Sequence, residues 1–258
     1  MLCKEIIEKI EEKYARKYAL EWDNVGLLAG RDDKEVKRIY IALDATDDVI
    51  ECAVKWKADM LITHHPLIFS GMKRINNQDF IGRRLLTLIR NDISYYAMHT
   101  NYDVMGMAEL SGNMLDLEQA EVLEVTAEDG KQEGIGRVAD ISPVTLRDYC
   151  QLVKERFGLD TVKVFGDLDS MIYRVAVSPG SGKSMIGAAL EKNADVLITG
   201  DIDHHTGIDA VAQGLSVMDA GHYGIEHIFV EDMADYLREK IPSAAVKTAE
   251  ICHPFRVV

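Results

Sequence analysis

The four cysteines, Cys3, Cys52, Cys150 and Cys252, stand far apart with no C-x-x-C spacing, so neither a thiolate zinc site nor a thioredoxin-like motif is signalled. Isolated thiols of this kind fit a reduced, cytoplasmic protein. Positive charge is also scarce: 29 Lys and Arg against 43 Asp and Glu leave a net charge of −14. Nonspecific nucleic-acid affinity comes from Lys and Arg displacing counterions, so this balance argues against nucleic acid as a partner while leaving room for a local basic patch. Long apolar runs are missing too. None approaches the ~20 residues of a membrane span, and Lys4, Glu5, Glu8, Lys9 and the run Glu11 to Lys13 break any secretory apolar core.

What remains, 258 residues at 47% hydrophobic, can bury one large core or two modest ones. Residues 2–18 place Ile6, Ile7, Ile10 and Tyr14 on one stripe, an amphipathic helix. Glu21 to Gly30, with Trp22-Asp23-Asn24 and two glycines, reads as a tight loop into a short strand, either a plain turn or the lining of a pocket. Arg38 to Ala45 is a strand followed by a helix through Trp56, capped by Thr46 or Asp47. Ala58-Asp59-Met60-Leu61-Ile62-Thr63 is a short buried strand, and Pro66 stops it from continuing beyond His64 and His65. The two imidazoles therefore sit at a strand's carboxyl edge, where open α/β sheets bind ligands. A helix from Phe80 to about Arg90 and a strand from Ile93 to Met98, delivering His99, complete a β-α-β rhythm that implies a largely parallel sheet.

The pattern loosens between about Leu117 and Gly136, with Glu128-Asp129-Gly130 the clearest turn, and a lobe boundary is expected there: 1–125 and 126–258, with no inserted third domain. Pro143 to Phe157 reads as a helix. Ala194-Asp195-Val196-Leu197-Ile198-Thr199 then repeats residues 58–63 at all but one position, and Arg174 to Val177 resembles Arg38 to Ile41 at the same offset. A duplicated α/β lobe follows, with two related lobes, their sheets flanked by helices, facing each other across a cleft. Strand 93–98 ends in His99 and Asp103, and strand 215–220 ends in His222 and Glu226, so both halves present His-x-x-x-carboxylate just past a strand.

With His64 and His65, the candidate donors are imidazole nitrogens and carboxylate oxygens without thiolates. That set suits Zn, Fe, Mn, Co or Ni and does not choose among them. Five or six donors exceed what one open catalytic metal needs and suit two ions sharing a carboxylate, for which Glu226 is the candidate. His99 either ligates directly or orients a neighbour. The bland alternative is a polar network at the sheet edge. His204 and His205 follow the matching strand of the second lobe but align with neither His64 nor His65; His227 and His253 point to nothing beyond structure or surface. Gly180-Ser181-Gly182-Lys183-Ser184 imitates a phosphate loop, yet the Walker pattern needs glycine where Val177 stands, so a glycine turn at a helix start is the better reading.

Trp22 to Leu27, Thr63-His64-His65-Pro66, His99 to Asp103, Thr199-Gly200-Asp201 and Asp219-Ala220-Gly221-His222 with Glu226 together resemble, over nearly the whole chain, the dinuclear metal-centre proteins related to yeast Nif-three, often labelled GTP cyclohydrolase type 2 homologues. The resemblance implies the metal ligands His64, His65, Asp103, His222 and Glu226 with His99 close by, two divalent ions per subunit, and a ring-shaped homohexamer. Two functions are consistent with this: a hydrolase using a metal-bridging water on a small molecule such as a nucleotide or cyclic amide, with Lys73, Arg74 or Lys183 holding phosphates, and a non-catalytic metal-binding or interaction module.

Overall fold

Apolar strands alternating with amphipathic helices build two sheets in the computed structural model, which describes residues 1–128, 130–256 and 258. Among the described residues the strands are Gly26–Ala29 (β1), Arg38–Ala42 (β2), Met60–Thr63 (β3), Ser94–Ala97 (β4), Glu121–Glu128 (β5), Gln132–Thr145 (β6), Lys163–Phe165 (β7), Met171–Ser181 (β8), Val196–Gly200 (β9), Ser216–Asp219 (β10) and Ala245–Thr248 (β11). The chain forms two compact units, Met1–Tyr102 with Phe229–Cys252, and Asp103–Ile228 with His253–Val258.

In the first unit the sheet order is β1-β4-β3-β2-β11, parallel except for β1. Period-two alternation sends Tyr40, Leu61 and Tyr95 to one face, under the helices Asp47–Trp56 and Phe80–Arg90. Ile39, Ile41, Met60 and Ile62, of opposite parity, are buried as well, as a parallel sheet covered on both faces requires. Thr46 and Asp79 cap the two helices, accepting from Val49 N at 3.2 Å and Gly82 N at 2.8 Å. The N-terminal helix, Cys3–Lys13, buries Cys3, Ile6 and Ile10 and is shorter than the expected 2–18.

In the second unit the order is β5-β6-β8-β9-β10-β7. Its centre, β8, β9 and β10, is parallel; β5, β6 and β7 join antiparallel, so this sheet is mixed. Helices Ile186–Glu191 and His204–Ala212 supply Ala189 and Ala210 to a core with Ala176, Leu197 and Val217.

The same bonds recur in each unit, consistent with duplication. Asp59 Oδ2 accepts from Lys37 N and Arg38 N at 2.8 and 2.9 Å. Asp195 Oδ2 accepts from Tyr173 N and Arg174 N at 2.6 and 2.8 Å. The repeated Ala-Asp thus ties the start of one strand to the start of its neighbour.

Two expectations are corrected, and the compact units run differently from the expected lobes. The loosened stretch 117–136 contains β5 and most of a β5–β6 hairpin; Asp129 of the expected turn lies outside the described residues. The helix expected from Pro143 starts at Leu146, because Pro143 to Thr145 still belong to β6 and Thr145 caps the helix by accepting from Asp148 N. The unit division departs from 125/126: helix Ala108–Met114 packs on β6 and β8, and β11 pairs with β2, which carries 229–252 back to the first sheet. Among the described residues no helix is long and apolar enough to cross a membrane.

Candidate functional site

All four residues of β3 are buried, and the chain leaves the sheet at His64 under tight control. The Thr63 hydroxyl donates to His65 O at 2.8 Å, Leu67 N donates to the Tyr95 hydroxyl at 2.8 Å, and His65 N donates to Leu43 O at 3.0 Å. Burial pushes the Tyr95 phenol up to about 12, so it stays neutral and keeps the proton it donates to His65 O at 3.1 Å.

The imidazoles are oriented from behind. His64 Nδ1 lies 2.9 Å from Met98 O, His65 Nδ1 2.8 Å from Asp44 Oδ1, and His99 Nδ1 3.0 Å from Asp23 Oδ1. Carbonyl and carboxylate oxygens only accept, so each Nδ1 is the donor of its bond and Nε2 is the nitrogen turned the other way. Ligand nitrogens of His64, His65 and His99 lie within 4.8 Å of one another. This is the outer arrangement that fixes histidine ligands at metal sites.

Asp23 is the most enclosed of the anchors, its side chain 0% exposed. It also accepts from Thr100 N at 2.9 Å and the Thr100 hydroxyl at 2.6 Å. Burial raises its pKa, but the bonds from His99 and Thr100 outweigh burial and hold it at about 2. A depressed carboxylate stabilises the fold above its unfolded pKa, near 4, and that stabilisation is lost as pH falls toward 2, on the order of 2 kcal/mol. Asp23→Asn should therefore flatten the acid limb of the stability curve in denaturant titrations. The same substitution should weaken metal affinity by roughly 10- to 100-fold, measured by chelator competition.

His222, Glu226 and Asp103 belong to the second unit. Gly221 makes the turn from β10, and His222 opens the helix His222–Glu226. The Asp219 carboxylate locks that turn, accepting from Gly221 N at 3.0 Å and Ile202 N at 3.1 Å and pairing with Lys163 at 2.7 Å. His222 Nδ1 is 2.7 Å from Asp201 Oδ2 and its Nε2 is 3.0 Å from Glu226 Oε2, the i,i+4 neighbour. Burial lowers the His222 pKa, but the two carboxylates outweigh it and raise it to about 9. Without a metal the ring is thus an imidazolium between two anions. Glu226 is 3% exposed, and oxygens of Glu226 and Asp103 lie within 4.8 Å of one another. Asp103 begins a π-helical stretch, Asp103–Met107, a local irregularity frequent at functional sites.

Space is kept open around these donors. A Cβ on Gly180, at φ +79°, would lie 2.5 Å from Glu226 Oε1, and one on Gly200 would lie 2.5 Å from His222 N. The donor types in each unit, imidazole nitrogens in the first and an imidazole with carboxylates in the second, fit divalent metals of the Zn, Fe, Mn, Co or Ni type.

The other candidates separate clearly. Lys73 and Arg74 are exposed in the segment after Phe69. Lys183 pairs with Asp203 at 3.0 Å, and Asp203 caps the following helix. His204 and His205 are exposed on that helix, His227 Nε2 lies 3.0 Å from Phe157 O, and His253 packs against Tyr223. Sequence reasoning missed the anchors Asp23, Asp44 and Asp201; the usable signal was that Asp44 and Asp201 each follow a buried strand closely.

A curated relative from Streptococcus pneumoniae, GTP cyclohydrolase 1 type 2 homolog, is 38% identical over 250 residues, covering 93% of this chain and 91% of its own. One of the same name from Clostridium perfringens is 31% identical over 263 residues and covers 100% of both. The crystal structure of a Bacillus cereus protein related to NIF3 matches with a TM-score of 0.94 at 25% identity, over 100% of this chain and 99% of that one. The family model for Duf34/NIF3 (NGG1p interacting factor 3) matches residues 1–254, and the chain belongs to that family.

Proposed function

We propose that this protein is a metal-dependent hydrolase in which His64, His65, Asp103, His222 and Glu226 hold two divalent cations, with His99 beside them. The observation that carries the reading is the fixing of four imidazoles through Nδ1, by Met98 O, Asp44, Asp23 and Asp201. A merely structural histidine needs one good bond; His64, His65 and His99, each anchored on Nδ1, turn Nε2 the other way, and His222, anchored the same way, turns its Nε2 to the Glu226 carboxylate. Two divalent cations would supply Lewis acidity, lowering the pKa of water toward neutrality and polarising the bond under attack. The protein's own part is to hold the rings in one tautomer and orientation and to keep the Glu226 carboxylate enclosed.

Relatives carrying the name GTP cyclohydrolase 1 type 2 homolog make nucleotides and cyclic amides the first substrates to test. Lys73 and Arg74 would hold the phosphates of such a substrate. Alanine at both should raise KM for a phosphorylated substrate and leave an unphosphorylated one unaffected; equal KM values would remove them from the site. A homohexamer is the assembly proposed, readable by sedimentation.

The test of the whole reading is elemental analysis of protein purified without chelators, paired with a screen of loaded and stripped protein against nucleotides, phosphoesters and cyclic amides. About two equivalents of divalent metal and turnover that disappears on stripping are expected. Two equivalents with no turnover on any class would instead identify a non-catalytic metal-binding module, and less than one equivalent would overturn the metal centre itself.

A further inference from the structure

Two large aromatic side chains beside the histidine cluster have no role in the metal reading. Trp22 and Phe69 are each 57% exposed. Aromatic side chains of this size ordinarily contribute by burying roughly 150–250 Å² apiece, so leaving a pair in water forgoes stability at both positions. Their ring centroids are 5.7 Å apart and tilted by 36°. His99 stands edge-on to both, 5.9 Å from Trp22 and 6.1 Å from Phe69, and lies 5.2 and 5.6 Å from His64 and His65. The aromatic surface is therefore continuous with the imidazole cluster.

The pair is also fixed in place. Asn24 Nδ2 donates to Ile68 O at 2.6 Å, tying the residue two beyond Trp22 to the one before Phe69. Asp23, between Trp22 and Asn24, is held by His99 and Thr100. Both loops are thus clamped to the backbone that also positions His99. Further along, Lys73 and Arg74 add exposed positive charge to the Phe69 segment, in a chain whose net charge is −14.

We infer that Trp22 and Phe69 form a stacking wall for a planar heteroaromatic ring of the substrate, held beside His64, His65 and His99. Every such ring has a π-face, so a stacking wall selects the ring class while hydrogen bonds elsewhere select its identity. Lys73 and Arg74 suit an anionic group on the same ligand. This inference rests on the metal-centre reading for its placement, but its test does not depend on turnover.

Trp22 and Trp56 are the two tryptophans of the chain. In a full-length Trp56→Phe background, Trp22 emission should be quenched saturably by guanosine 5′-monophosphate and not by ribose 5-phosphate. Adding Phe69→Ala should weaken that binding roughly 5- to 150-fold, and Phe69→Tyr should preserve it. Calorimetry on wild-type and Phe69→Ala protein gives the same comparison should Trp56→Phe fail to fold. Equal responses to the two probes, or unchanged affinity in Phe69→Ala, would overturn the wall. So would a change in sedimenting mass of Trp22→Ala and Phe69→Ala without loss of probe binding, which would make the surface a contact between copies of the chain. Probe binding without turnover in the screen leaves the wall standing and counts against the hydrolase; turnover with unchanged KM in both alanine variants does the reverse.

Discussion

Stripped of metal, the wild-type protein is expected to lose stability as pH rises from about 6.5 to about 9, and Glu226→Gln is expected to remove most of that loss. Burial works against the His222 cation, yet Glu226 and Asp201 outweigh burial and raise its pKa to about 9. A group whose folded pKa lies above its unfolded value stabilises the fold fully below the unfolded value, near 6.5, and stops doing so as pH climbs through the folded one. With the ring one-third exposed, solvent screening trims the contribution to on the order of 2 kcal/mol. Glutamine keeps the shape of Glu226 and removes its charge, while Asp201 still holds Nδ1. Denaturant titrations at pH 6, 7.5 and 9 read the difference directly, and identical flat profiles for both proteins would refute it. Because a cation at Nε2 must displace the proton held there, wild-type metal affinity should rise across the same pH range. Glu226→Ala should abolish turnover in any reaction found by the substrate screen; activity surviving in that variant would point to another site.

The parts of this fold that can be read from sequence are those where burial leaves no ambiguity. β3 and β9 are buried on both faces, so they appear as unbroken apolar runs, and the Asp that begins each run makes the same bonds to the preceding strand. The β5–β6 hairpin was obscured by the opposite circumstance. β5 is an edge strand of mixed exposure carrying Glu121, Glu124 and Glu128, and its charges resemble those of a linker. β11 is shorter still, a four-residue edge strand whose place in the first sheet comes from pairing with β2, more than two hundred residues earlier in sequence. No local pattern announces a partner that distant, which is why the return of residues 229–252 to the first sheet is not legible in the sequence.

The strand ends that carry the candidate donors are legible in the sequence, whereas the side chains that orient those donors are not. His99 was paired in sequence with Asp103, four residues on, but its Nδ1 is held by Asp23, seventy-six residues back. Asp44 and Asp201 likewise act across 21 residues each. Helical spacing correctly gave His222 and Glu226 because both lie in one short helix. Where the chain runs into the π-helical stretch at Asp103, that spacing rule has no purchase.

Gly180→Ala is expected to be a damaging single-methyl substitution beside Glu226, for two separable reasons. Its φ of +79° falls in the region that disfavours any side chain, costing roughly 1–2 kcal/mol. The new Cβ would also stand 2.5 Å from Glu226 Oε1, and Glu226, being 3% exposed, has little room to withdraw. Overpacking of that kind adds about 1–3 kcal/mol. Together these should lower Tm by roughly 5–15 °C, given about 2–4 °C per kcal/mol for a chain of comparable size. Gly158→Ala provides the comparison, because Gly158 has φ +65° and a methyl added there would meet nothing within 4 Å, so it carries the conformational cost alone. The difference between the two variants then measures the crowding of Glu226. If that crowding moves the carboxylate, Gly180→Ala should lose metal affinity while Gly158→Ala retains it. Equal Tm shifts and equal metal content in the two variants would mean that Gly180 serves its turn and nothing more, and that the space around Glu226 is incidental to the centre.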